Sequence, residues 1–200
     1  GLLPGSDPYL RQEVIILGAH YDHVGNDPGG LRYSGANDNA SGVAALLEIA
    51  RLLHEQDYSP KSSILFVAWG AQELGQEGSN YYVTQPIFPL HNTIATIQLD
   101  GVGGGDGFSL GVQGSTETDG EILYTLSAAE QALQEKLVYT PPFNESDDMP
   151  FRQAGIPSLL FSWRLANEDN LPDELGNTVH PEHLNIAGRV VTLLLLALAR

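Results

Sequence analysis

His20, Asp38, Glu73 and Asp100 are the residues of this 200-residue chain whose types suit a divalent cation. Imidazole and carboxylate are borderline and hard ligands, the set that takes zinc or a similar ion. The chain has no cysteine, so thiolate sites and disulfides are excluded and any metal falls to His, Asp and Glu. Asp22, two residues after His20, can accept the second imidazole N–H and fix the ring's tautomer. The stretch "FVAWGAQELGQEGS" carries one carboxylate, Glu73, directly after an amide, Gln72. Chemistry at a strand end often needs two carboxylates, one to hold a metal and one to move a proton, and here an amide, which takes up no proton at neutral pH, occupies one of the two places. Singly, each residue has a plainer reading: His20 as a solvated loop histidine, Asp38 as a helix cap, Gln72 as an exposed turn residue, Glu73 and Asp100 as turn acids. Together they call for elements that bring all four to one edge.

Those elements can be read from the apolar pattern. "EVIILG", "SSILFVAWG", "NTIATIQLD", "FSLGV" and "IPSLLFSW" are short, β-branched or aromatic runs that predict buried strands. Between them lie helical periods. "ASGVAALLEIARLLHEQ" places Val43, Leu46, Leu47, Ala50 and Leu53 on one face, with Asn37, Asp38 and Asn39 as capping candidates. "TDGEILYTLSAAEQALQE" does the same with Ile122, Leu123, Leu126, Ala129 and Leu133. "GSNYYVTQ" and "DDMPFRQAG" predict short helices, and "PEHLNIAGRVVTLLLLALAR" a final long one. Strands that are apolar on both faces and alternate with helices predict an α/β fold, a three-layer αβα sandwich around a mixed, mostly parallel twisted sheet. In such sheets functional residues gather at the carboxyl ends of strands. His20 and Asp22 follow the first strand, Glu73 the second, Asp100 ends the third, and Asp38 starts the first long helix.

Composition narrows the partners. The net charge is −16, from 25 acidic and 9 basic residues, so no basic stripe exists for nucleic-acid phosphates. The run "VVTLLLLALA" is about half the length of a membrane span and reads as a buried helix. Residues 1–200 read as one domain. "GLLPGSDPYL" starts abruptly, without a signal peptide, as expected of a fragment that lacks its first strand or a preceding domain. The sequence carries no mark of oligomeric state.

The successive stretches "GAHYDHVG", "SGANDNASGVAALLEIAR", "ILFVAWGAQELGQEGS", "QLDGVG" and "AGIPSLLF" resemble, in order and over nearly the whole chain, the motifs of the two-zinc aminopeptidases. That family includes bacterial leucyl aminopeptidases, glutamate carboxypeptidase-like enzymes and the glutaminyl cyclases. The resemblance implies a zinc exopeptidase-like fold, zinc or another divalent metal, a peptide or small amide substrate and an extracytoplasmic location. It implies that His20 and Asp100 bind one metal, that Asp38 bridges two, and that Glu73 binds the other. It also places Gln72 where the family has its general base.

Other departures lie further along the chain. The family's last ligand is a histidine soon after the "AGIPSLLF" strand. Asn170 or, with a small gap, Arg164 stands in its place, and His180 is the remaining candidate. Asp148 stands where the family often has a histidine. These losses spare His20, Asp38 and Asp100, so the expectation is one tightly held ion rather than two. The function expected is a metal-dependent hydrolase of peptide or amide bonds, aminopeptidase-like, with activity impaired at Gln72. A non-catalytic binding or structural domain is the alternative, and a one-metal glutaminyl cyclase-like acyltransferase is the less favoured third reading. His23 lines the same cleft. Phe143, Phe151 and Trp163 are candidates for a specificity pocket or for the core.

Overall fold

The computed structural model describes residues 1–105, 109–142, 146–163 and 179–200. Seven strands form one mixed sheet: β1 (Leu2–Leu3), β2 (Val14–His20), β3 (Ser63–Trp69), β4 (Thr93–Leu99), β5 (Gly111–Gln113), β6 (Val138–Thr140) and β7 (Ser158–Ser162), in the spatial order β1-β3-β2-β4-β7-β5-β6. The central pairs β3–β2, β2–β4 and β4–β7 are parallel. β1–β3 and β5–β7 are antiparallel, and the edge pair β5–β6 is again parallel. Five α-helices accompany them among the described residues: α1 (Gly42–Glu55), α2 (Glu77–Thr84), α3 (Gly120–Leu133), α4 (Met149–Gln153) and α5 (Pro181–Leu198).

The sheet is covered on both sides, which makes three layers. Every residue of β2 is buried, and its side chains alternate between two cores. Ile15, Leu17 and Ala19 face the larger one, with Leu46 and Ile49 of α1, Leu126 of α3 and Val190 and Leu194 of α5. Val14 and Ile16 face the smaller one, with Trp69, Tyr82 of α2 and Phe151 of α4. A strand buried on both faces has no polar side to show, which is why β2 and most of β3 read as continuous apolar runs, whereas β4 also buries Thr93, Thr96 and Gln98. By length and composition alone α5 could cross a membrane. Here Val190, Val191, Leu194 and Leu195 pack it into the larger core with no exposure.

The structure corrects several local expectations. Leu2–Leu3, read only as an abrupt start, form an edge strand on β3. The fourth strand lies at Gly111–Gln113, C-terminal to most of "FSLGV", and Val138–Thr140 adds a strand that the sequence did not announce. Leu47 points outward at 61 % exposure, while Ile49 takes the buried place. Phe151 and Trp163 belong to the core, and Phe143 lies outside the described residues.

Candidate metal centre

Strand β2 ends at His20, whose ring is 1 % exposed. Its Nδ1–H donates to the backbone carbonyl of Asp22 at 3.1 Å, which directs Nε2 the other way. Nε2 stands 3.2 Å from Asp38 Oδ1 and 3.6 Å from Asp100 Oδ1, paired in charge with both and aligned for a hydrogen bond with neither. Burial disfavours a charged imidazole, but the pull of Asp100 and Asp38 outweighs it and raises the His20 pKa to about 11 in the metal-free chain. The position therefore favours a cation, whether a proton or a metal ion.

Asp38 reaches this point from an irregular helical turn, Ala36–Ser41, in which Asp38 and Asn39 leave helical backbone angles. It caps no helix. The two flanking asparagines fix it instead. Asn37 donates through Nδ2 to Gly104 O at 2.9 Å and accepts from Gly103 N–H at 3.0 Å. Asn39 donates to Leu99 O at 2.8 Å and accepts from the N–H groups of Gly42 at 3.1 Å and Gly101 at 3.2 Å. The turn is thus stitched to the end of β4, next to Asp100. Gly42 has to be glycine, because a Cβ there would strike the Asn39 amide and the Leu99 carbonyl.

Asp100 follows β4. Its Oδ2 accepts from Ser146 Oγ at 3.0 Å, a support that the sequence did not point to. The neighbouring Asp147 is 1 % exposed and accepts from Ser79 Oγ at 2.5 Å. Asp148, which stands where the family often has a histidine, has no exposure and pairs with Arg152 at 3.2 Å. It serves the packing of α4.

Gln72 and Glu73 follow β3 in a tight turn. Ala71 takes a left-handed φ of 58° and Gly75 one of 105°, and Gly75 and Gln76 both donate to Gln72 O at 2.9 Å. Gln72 is 8 % exposed, so it is buried at the site rather than an exposed turn residue. Burial, then the charge of Asp38, raises the Glu73 pKa, while His23 pulls it back. His23 Nδ1 lies 3.0 Å from Glu73 Oε1 and 3.8 Å from Asp38 Oδ2.

The donors thus form two clusters that share Asp38, namely His20–Asp38–Asp100 and His23–Asp38–Glu73. Ligands about 2.0–2.2 Å from a tetrahedral zinc stand about 3.3–3.6 Å from one another. The spacings of 3.2 and 3.6 Å around His20 lie close to that tetrahedral edge. His180 joins neither cluster among the described residues. It is exposed, its N–H donates to Gly103 O at 2.7 Å, and its ring lies edge-on to His183 at 5.0 Å. Arg164 and Asn170 fall outside the described residues.

Solved structures of zinc aminopeptidases share this three-layer fold. A zinc aminopeptidase of Bacillus subtilis superposes with a TM-score of 0.81 at 28 % identity, over 98 % of this chain and 48 % of that one. An aminopeptidase of Aneurinibacillus does so with a TM-score of 0.80 at 28 % identity, over 100 % and 47 %. In sequence, the aminopeptidase YwaD of Bacillus subtilis is 32 % identical over 191 residues, 90 % of this chain and 40 % of its own length. Leupeptin-inactivating enzyme 1 of Streptomyces exfoliatus is 32 % identical over 157 residues, 77 % of this chain and 33 % of its own length. Residues 1–186 match Peptidase family M28, and the chain belongs to that family. It spans less than half the length of these relatives.

Proposed function

We propose that this chain is a metal-dependent hydrolase of peptide or amide bonds, of aminopeptidase type, whose turnover is limited at Gln72. The observation that carries the reading is the meeting of His20, Asp38 and Asp100 at zinc-like spacing, with Gln72 buried in the turn that Asp22 ties to the end of β2. His20, Asp38 and Asp100 would hold the ion. An ion of this class supplies Lewis-acid polarisation of a carbonyl oxygen and a nucleophile at neutral pH.

The chain's own groups do the rest. Asp22 holds His20 through its carbonyl and the Gln72–Glu73 turn through its carboxylate. Gln72 can orient a water or a substrate amide by hydrogen bonding, but its side chain takes up no proton at neutral pH. A missing general base costs about 10²–10⁴-fold in rate. That same substitution favours a second reading, a metal-binding domain that no longer turns over substrate.

A panel of aminoacyl chromogenic amides, with zinc, cobalt or manganese added, separates the two. Weak, chelator-sensitive hydrolysis by the parent and a rise of about 10²–10⁴-fold in kcat for Gln72→Glu are expected. A folded Gln72→Glu protein that binds metal and hydrolyses nothing would sink the hydrolase reading and leave the binding domain.

A further inference from the structure

On sequence alone the second metal position keeps only Glu73 and the shared Asp38, because no histidine stands at the family's last-ligand place. The structure brings a different histidine to the same point. We infer that His23, with Glu73 and Asp38, forms a second divalent-cation site, with His23 Nδ1 as the nitrogen donor that the late part of the chain does not supply.

The geometry of the three donors carries this. His23 Nδ1 lies 3.0 Å from Glu73 Oε1 and 3.8 Å from Asp38 Oδ2. These values straddle the edge of about 3.3–3.6 Å expected between zinc ligands, and the three donor atoms all lie within 4.8 Å of one another. Asp38 presents Oδ1 to His20 and Oδ2 to His23, one oxygen to each imidazole, as a carboxylate that serves two ions must. The second cluster thus mirrors the first: one imidazole, one private carboxylate and one shared carboxylate.

The ring is also held in place. Gly35 has a φ of 73°, and a Cβ there would lie 3.2 Å from the Cβ of His23, so its backbone packs against the histidine as only glycine can. Tyr33 stands edge-on to the imidazole at a centroid distance of 6.3 Å. The side chain is 13 % exposed. Nε2 is buried and has no hydrogen-bond partner among the described residues, so no competing acceptor turns Nδ1 away from the carboxylates. The ligand class is a zinc-like ion, since imidazole with two carboxylates is poor company for magnesium or calcium.

The inference rests on the reading that His20, Asp38 and Asp100 hold a metal, and the test separates the two. The full chain, stripped with chelator, is titrated with zinc by calorimetry and assayed for bound metal after equilibrium dialysis. The parent, His23→Ala, His23→Gln and His20→Ala are compared, with circular dichroism to confirm folding. Two ions in the parent and one in both folded His23 variants are expected, with second-site affinity down at least about a hundredfold, since even an outer-shell partner is worth about 10–100-fold. In the parent itself, long-range proton–nitrogen spectra should show His23 Nδ1 moving to a metal-bound shift as the second equivalent is added, a readout that needs no variant. One ion that is lost in His20→Ala and unaffected in the His23 variants overturns the inference and leaves the first site standing. No bound ion in the parent overturns both. A His23 nitrogen that stays fixed while two ions bind also overturns it, because the second ion then sits elsewhere.

Discussion

The carboxylate of Asp22 accepts the backbone N–H of Glu73 at 3.1 Å, so the residue expected to orient His20 by its side chain holds a different strand end instead. The other oxygen takes the N–H of Gln72 at 3.0 Å. His20 is steered by the Asp22 carbonyl, with the carboxylate 3.9 Å from Nδ1. One residue thus couples the ends of β2 and β3, and with them the two donor clusters.

Asp22→Asn tests that coupling. The amide keeps one acceptor oxygen and offers an N–H group to a backbone N–H that has no use for it. The His20 contact runs through the main chain and survives. Zinc affinity is expected to fall about 10–100-fold, the usual effect of losing an outer-shell partner, with the loss concentrated at the Glu73 cluster. Calorimetric titration of the chelated protein reads it. Unchanged affinity for every bound ion would show that the turn holds itself without Asp22.

Much of this geometry could be read from the sequence, for a physical reason. β2, β3 and β4 are largely buried on both faces, so their mainly apolar stretches give way to polar and Gly-rich sequence near the sheet's carboxyl edge. His20 closes β2, Asp100 directly follows β4 and Glu73 follows β3 just behind Gln72, so the three meet at that edge. β1 has two residues and β6 three, too few to show a period. Leu47 misled because a five-residue apolar stripe is wider than the face that α1 buries. His23 sits in a loop, where no periodicity says which way a side chain points. The only hint was a second imidazole three residues after the first. The Ser146–Asp100 and Arg152–Asp119 contacts gave no sign, because each joins residues dozens of positions apart that only the fold brings together.

Asp147 predicts how stability responds to pH. Burial pushes its carboxyl up to about 7; the Ser79 hydroxyl and His20 pull it down, and Asp100 and Asp22 push it up. Below the ordinary aspartate value of 3.8 the group is protonated whether the chain is folded or not, and it leaves stability unchanged. Between there and about 7 only the unfolded chain ionises, so the folded state loses ground as pH rises, and above about 7 the loss is complete. The loss is on the order of 2–4 kcal/mol. Urea unfolding of the metal-free protein at pH 5 and pH 8 is the measurement. Asp147→Asn, which cannot ionise and keeps an acceptor for Ser79, should gain on the parent between the two pH values. A parallel response in both proteins would mean that Asp147 is ionised throughout.

Arg152 should be the most costly single loss away from the metal centre. Its Nη1 donates to Asp119 Oδ2 at 2.6 Å, its Nη2 to Ser158 O at 2.5 Å, and its Nε and Nη2 reach Asp148 Oδ2 at 3.3 and 3.2 Å. Asp119 and Asp148 have no exposure. Asp119 also accepts the N–H groups of Ser115 at 2.6 Å and Ser158 at 2.9 Å, so the cluster ties the start of α3, the helix α4 and the start of β7 into one body. Arg152→Met keeps the stem's packing but leaves two buried carboxylates without their cation. Removing one partner of a buried ion pair costs about 3–5 kcal/mol, because the other charge stays behind. Asp148→Asn should cost far less. Burial already raises its carboxyl to about 6 against the pull of Arg152, and the guanidinium keeps Asp119. The expected order of destabilisation in urea at pH 7 is therefore Arg152→Met well above Asp148→Asn, with the gap narrowing towards pH 5 as Asp148 takes up a proton and no longer needs a cation. Equal losses in the two variants at pH 7 would show that the Arg152–Asp148 contact, rather than Arg152–Asp119, is what holds α4 under the site.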